Sequence, residues 1–183
     1  MKKSILITII AVFTISFAFA QKSVTNTTYS FPSKGDAIIK YSVPTANWNV
    51  TDENNLLSLT PKGSGETSRL ITMIWASENP YAEDAMTVIV NDAFDVIETL
   101  LTDLTWQENM NTFENNGISF TALDGFGYYV NEDGSRDRMS ASIMILIPDE
   151  INILTLLFFA TDQAYDKWEK ELLDIILSIT PAK

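Results

Sequence analysis

Hydrophobic and polar positions alternate with a period of two over most of this chain, and two stretches break that rhythm with a helical period. Ala37–Val43 (AIIKYSV) is rich in β-formers and stopped by Pro44, so it predicts a strand. Trp48-Asn49-Val50 predicts a short extended piece, Asp52-Glu53-Asn54-Asn55 a turn, and Leu56–Thr60 a strand closed by Pro61. Arg69–Ala76 predicts a strand with Ile71, Met73 and Trp75 on one face and Leu70, Thr72 and Ile74 on the other. From Ala82 to Leu104 the steps become three and four. Ala85, Ile89, Ala93, Val96, Ile97, Leu100, Leu101 and Leu104 fall on one side and predict an amphipathic helix. Its outer face carries Asp92, Asp95, Glu98 and Asp103 with no lysine among them, an acidic ridge.

Strand rhythm then returns in Trp106–Phe113, Ile118–Leu123 and Phe126–Val130. The last two flank Asp124-Gly125, either a tight turn or a bulge within one long strand. Asn131–Ser135 is a clearer turn, followed by strands over Arg138–Ile147 and Ile151–Ala160. The near-continuous apolar run Ile151–Phe159 predicts a central strand covered on both faces. A second helix is predicted by Tyr165, Trp168, Leu172, Ile175, Ile176 and Ile179, capped by Thr161 or Asp162 and ended by Pro181. The expected fold class is α+β, a layered α/β/α domain. It has a mainly antiparallel sheet of about six strands, a long middle helix and a C-terminal helix.

The N-terminus follows a different logic. Met1-Lys2-Lys3, an apolar run of about 15 residues from Ile5 to Phe19, and Ala18-Phe19-Ala20 have the three parts of a secretory signal. A spanning helix needs roughly 20 apolar residues, so the run predicts a cleaved leader rather than an anchor. Small residues at Ala18 and Ala20 place cleavage between Ala20 and Gln21. The expected organisation is therefore a signal peptide over 1–20, a flexible polar tail over 21–36 with at most one short strand near Tyr29-Ser30-Phe31, and a single domain over 37–183. No later stretch is long and apolar enough to span, and no lipobox cysteine is present to carry a lipid. A soluble, secreted or periplasmic protein is the expectation.

Composition narrows the chemistry. The chain has neither cysteine nor histidine. An exported chain without cysteine has no disulfide and rests on its core alone. Thiolate zinc sites and the commonest nitrogen ligand are excluded, as are Ser-His-Asp and Cys-His mechanisms. Losing Lys2 and Lys3 with the leader lowers the basic count from 12 to 10 against 24 acids, a net charge of −14. Such a chain repels nucleic-acid phosphates and anionic membrane faces, so no nucleic-acid partner is expected.

The remaining candidates are oxygen-based. Asn131-Glu132-Asp133-Gly134-Ser135-Arg136-Asp137 is as oxygen-rich as a calcium loop, but Tyr129 and Arg136 do not fit one, and a solvated hairpin turn accounts for it. Asp92, Asp95 and Glu98 share a helix face yet have no convergent ligand from elsewhere. With 24 acids some carboxylate pair always fits a glycosidase spacing, so no pair is singled out. Lys62–Glu66 lacks the phosphate-loop pattern. The four tryptophans read as core packing, with Trp48 covering an edge of it, whereas Tyr81, Tyr128 and Tyr129 are candidates to line a groove. No catalytic, cofactor-binding or metal-ligating residue is assigned.

The opening Val43-Pro44 to Trp48-Asn49-Val50, the strand closing in LLSLTP, a strand leading into a long helix, a meander and a C-terminal helix ending in ILSI resemble the Mog1/PsbP-like fold group. That group includes PsbP-type photosystem subunits, DcrB-like periplasmic proteins and Mog1 Ran-binding proteins, and the likeness runs over about residues 37–180. It implies a non-enzymatic binding or assembly module without a cofactor, and none of the group's functional residues matches here position by position. The expected function is an exported, non-catalytic module that binds another envelope or exported protein. The alternatives are a small-ligand or divalent-cation binder and a carboxylate-dependent hydrolase.

Overall fold

The computed structural model describes residues 25–65, 68–78 and 80–183. The predicted signal and its cleavage point at Ala20 and Gln21 lie outside the described residues. The strands are β1 (Thr27–Phe31), β2 (Ile39–Val43), β3 (Trp48–Glu53), β4 (Leu56–Pro61), β5 (Leu70–Ala76), β6 (Thr102–Trp106), β7 (Asn111–Asn115), β8 (Ile118–Val130), β9 (Arg136–Ile147), β10 (Leu154–Thr161) and β11 (Thr180–Pro181). Helix α1 (Ala85–Leu100) stands between β5 and β6, and α2 (Asp162–Leu177) follows β10 directly.

The protein is α+β with a mainly antiparallel sheet and two helices, but the main sheet has eight strands rather than about six. Its order is β3-β4-β5-β10-β9-β8-β6, and β7 also pairs with β8. The short extended piece at Trp48 is a full strand, β3, and a split between β6 and β7 adds another, whereas Asp124-Gly125 takes the long-strand alternative, which adds none. Asp124-Gly125 is no turn: it stays paired with Ser142 and Ala141, so β8 runs unbroken for 13 residues. The stretch expected as one strand over Trp106–Phe113 is two short strands, placed one after the other along the free edge of β8. Gly125 permits this arrangement. A Cβ there would lie 2.6 Å from the Thr105 carbonyl oxygen and 2.6 Å from Cε3 of Trp106, so the indole needs the missing side chain.

Polar segment 21–36, expected to be a tail with at most a short strand near Tyr29–Phe31, contains β1. Together with β2 and β11 it makes a separate three-stranded sheet. Phe31 is fully buried and Tyr29 stacks on Tyr41 at 5.7 Å, and this burial holds down a segment whose composition reads as loop.

The eight-stranded sheet is covered on both faces, as the apolar run of β10 requires. Ala85, Ile89, Ala93 and Ile97 of α1 pack with Met139, Ala141, Ile143, Ile145, Leu157 and Phe159. On the other face, Ala164, Trp168, Leu172, Ile175 and Ile176 of α2 join the small sheet over Leu57, Leu59, Phe120, Leu156 and Phe158. Thr161 caps α2, its hydroxyl accepting from the Ala164 amide at 3.3 Å. Helix α1 is shorter than its predicted span of 82–104. Leu101 adopts an extended backbone, and the chain turns straight into β6.

Trp48 lies inside the core rather than at its edge, 1% exposed and edge-on to Trp168 at 5.9 Å. Its indole N–H donates to Glu171 of α2 at 2.9 Å, and the Asn47 amide donates to both oxygens of the same carboxylate at 3.0 and 3.1 Å. The turn before β3 is thereby fastened to α2.

Candidate interaction surface

Arg69, Arg136 and Arg138 are all the arginines in the chain. They stand at one end of the main sheet, where β5 and β9 begin and β8 and β10 end. The β8–β9 register sets Tyr128 opposite Arg138 and Val130 opposite Arg136. Diagonal neighbours on a twisted antiparallel pair are within reach of long side chains. Accordingly Arg136 lies over the Tyr128 ring at 4.5 Å and Arg138 over Phe126 at 4.5 Å. The Phe126 and Tyr128 rings meet edge to face at 6.5 Å. One face of the hairpin thus carries an alternating stack of guanidinium and aromatic planes, on the side of the sheet that α2 covers further along. Arg69 occupies the other face, 3.8 Å above Tyr129.

Two carboxylates of the chain already meet this stack. Arg136 donates to Asp103 of β6 and to the Thr102 hydroxyl, and Arg138 donates to Asp162 at 2.9 Å. Asp103 reaches its partner from an irregularity in the β6–β8 pairing, with a φ of 51° that few non-glycine residues adopt. Both acids are well exposed, 68% for Asp103 and 64% for Asp162. A guanidinium has five N–H donors, so neither pair exhausts its arginine. Among the described residues Arg69 forms no ion pair.

Further in on the same face lies Asp124, fully buried in β8 beside Ser142 of β9. Continuing the register across the sheet gives a row: Asp124, Ser142, Phe158, Thr72. The Thr72 and Ser142 hydroxyls, both Asp124 oxygens and the indole N–H of Trp168 are buried without a hydrogen-bond partner of normal geometry among the described residues. Burial pushes the Asp124 carboxyl above the usual carboxylate range, and the nearby Ser142 hydroxyl pulls it back only in part. The Tyr165 phenol on α2 is itself pushed up, first by burial and then by its hydrogen bond to Glu169 at 2.9 Å, with Asp124 adding to the effect.

The other candidates are placed as follows. In the loop Asn131–Asp137 the oxygens serve the chain itself: Asn131 bonds Ser135 and Asp137 at 3.0 Å each, and the Ser135 amide and hydroxyl donate to Asp133. These bonds from Ser135 hold Asp133 below the usual range. Gly134 takes a φ of 81°, and the segment is a hairpin turn. Asp92, Asp95 and Glu98 are exposed on α1, and among the described residues no group of three or more acids is arranged to hold a metal ion.

Lys62 of the Lys62–Glu66 loop donates to the Thr45 carbonyl at 2.7 Å, and Glu66 is outside the described residues. Tyr81, Tyr128 and Tyr129, candidates to line a groove, do not come together in one. Tyr81 bonds the Glu150 carbonyl in the β9–β10 connection at the far end of the sheet, while Tyr128 and Tyr129 point to opposite faces beneath arginines.

Two features escaped the sequence reading, and both had a signal. Phe126 and Tyr128 two apart, then Arg136 and Arg138 two apart across a turn, is the spacing that a hairpin converts into stacks. Asp124 continues the inward series Ile118, Phe120, Ala122, where an acid breaks the apolar alternation.

No family model matches the chain, and no curated protein sequence matches it. Solved structures do. LpqN from Mycobacterium tuberculosis, described as involved in cell envelope biogenesis, overlays with a TM-score of 0.52 at 12% identity, over 87% of this chain and 91% of that one. Cyanobacterial PsbP (CyanoP) from Synechocystis sp. PCC 6803 gives 0.48 at 14% identity, over 91% and 98%. The Ran-binding protein Mog1p from Saccharomyces cerevisiae gives 0.48 at 8%, over 86% and 95%. The chain spans 45% of the length of a Bacteroides thetaiotaomicron protein that it also overlays, at 0.48 and 11% identity. The Mog1/PsbP-like fold expected from the order of elements is the fold found, and at these identities the likeness is one of fold alone.

Proposed function

We propose that this protein is an exported, non-catalytic module that binds another exported or envelope protein through the arginine end of its main sheet. The stack of Arg136, Tyr128, Arg138 and Phe126 carries the reading. Arginine and aromatic side chains are enriched at the energetic centres of protein interfaces, and here they are gathered in one place on a chain with a net charge of −12. Lack of cysteine and histidine supports a non-catalytic role by removing the usual nucleophile–base sets. The leader-like N-terminus supports export.

The test is affinity capture by the exported protein from envelope extract, read by mass spectrometry, with an EDTA control and with Tyr128→Ala as the comparison. One dominant partner, lost with Tyr128→Ala, is the expected outcome. Loss in EDTA alone would move the site to a cation. A second reading, a small-ligand binder, draws on the unpartnered polar row of Asp124, Ser142 and Thr72. A blank capture together with a ligand-induced thermal shift that Asp124→Asn abolishes would favour it.

A further inference from the structure

We infer that the arginine end receives a carboxylate-rich segment of the partner protein, and that Asp103 and Asp162 are internal stand-ins for it. The inference rests on the binding-module reading and specifies the partner's chemistry. Three observations carry it. First, the donor is arginine at every position, although lysine is the commoner cation in this chain. A guanidinium stacked on a ring keeps its in-plane N–H fork free for a planar carboxylate, which an ammonium cannot match. Second, the ion-pair partners on the forks are carboxylates of the chain, each bound through one terminal nitrogen and each mostly exposed, with the Thr102 hydroxyl beside Asp103 on Arg136. Exposed pairs of this kind are worth little, so they yield to a guest carboxylate that engages both prongs. Third, α2 begins at Asp162 and covers the sheet from there onward, leaving the stack uncovered. Arg136 and Arg138 are 44% and 43% exposed by side chain.

The surrounding negative charge adds a selectivity rule. A long polyanion is repelled by the rest of the surface, whereas a short acidic loop that touches only the stack is not. Asp103 and Asp162 also hold the fork in place when no partner is bound, at the cost of competing with it.

The test uses the exported full-length protein. Fluorescence anisotropy is recorded with a short Asp/Glu-rich peptide, a Lys-rich peptide of equal length and inorganic polyphosphate, at low and at physiological salt. Binding of the acidic peptide alone is expected. Arg136→Lys with Arg138→Lys keeps the charge and removes the fork, and about tenfold weaker binding is expected. Asp103→Asn with Asp162→Asn frees the fork, and binding about threefold tighter is expected. Equal binding of polyphosphate, an unchanged affinity in the lysine double variant, or preference for the basic peptide overturns the inference. If a partner is captured that needs Tyr128 but tolerates both arginine-to-lysine changes, the acidic-segment inference fails while the binding-module reading stands.

Discussion

Asp124→Asn should stabilise this protein at neutral pH, and the gain should vanish in acid. In the native state the carboxyl is fully buried on the face packed against α2, next to Ser142, with neither oxygen in a hydrogen bond of normal geometry among the described residues. Arg138 and Asp162 are paired with each other at the surface, and Glu169 is bonded to Tyr165. None of them pairs with Asp124. Burial therefore raises its folded-state pKa above the unfolded value of 3.8.

The sign follows from proton counting. Below 3.8 both states are protonated, and the full stability associated with the neutral carboxyl is present. As pH climbs past that value the unfolded chain loses its proton while the native one keeps it, and stability falls by about 1.4 kcal/mol per pH unit until the folded pKa is reached. Asparagine has nearly the same shape and does not titrate, so its curve lacks this limb. The difference between variant and wild type should be flat in acid, rise through the limb and level off. Each kcal/mol should appear as about 2–4 °C in Tm for a domain of this size. Urea melts followed by tryptophan fluorescence from about pH 3 to 8 read the difference directly. Asp133 and Asp149, held low by their hydrogen bonds, titrate alike in both proteins and cancel. Parallel curves at every pH would refute the argument, because they would mean that the native carboxyl is solvated or paired.

Gly125→Ala should cost about 1–3 kcal/mol in urea midpoints, because its Cβ has no room between the Thr105 carbonyl and the Trp106 indole. Glu171→Ala should cost about 1–3 kcal/mol and alter the tryptophan emission, since the buried Trp48 N–H loses its acceptor along with both Asn47 bonds. Phe120→Ala should cost about 3–5 kcal/mol by calorimetry, as a fully buried ring stacked on Phe113 at 4.8 Å is removed from the core. Lys170→Ala should stay within about 1 kcal/mol in the same assay, its ion pair with Asp174 being a solvent-exposed pair on one helix turn.

Local chemistry decided much of the fold. The steps of three and four through Ala85, Ile89, Ala93 and Ile97 mark the buried stripe of α1 because a helix returns to one side every 3.6 residues. Thr161 was legible as the cap of α2 for the same local reason, a hydroxyl placed to accept from the first free amides. The apolar run in β10 announced a strand buried on both faces, and Asn54 and Asn55, with φ of 53° and 60°, announced the hairpin between β3 and β4.

Contacts distant in sequence decided the remainder. Nothing near Phe31 marks it as core. It is buried because β1 pairs with β2 and the small sheet joins the core shared by α2 and the main sheet. Asp124-Gly125 has the composition of a turn, and it remains in a strand because β9 pairs straight across it and Trp106 fills the space left by the glycine. The stacked arginines depend on the same register. Arg136 and Tyr128, and Arg138 and Phe126, became neighbours on one face only when the hairpin closed, and Asp103 and Asp162 arrived from two other elements. Periodicity and caps are properties of a few consecutive residues, so the sequence alone determined the two helices and the strongly patterned strands. Pairing register and the meeting of side chains from four elements are properties of the closed sheet, so the tertiary structure alone decided where the arginine–aromatic stack lies.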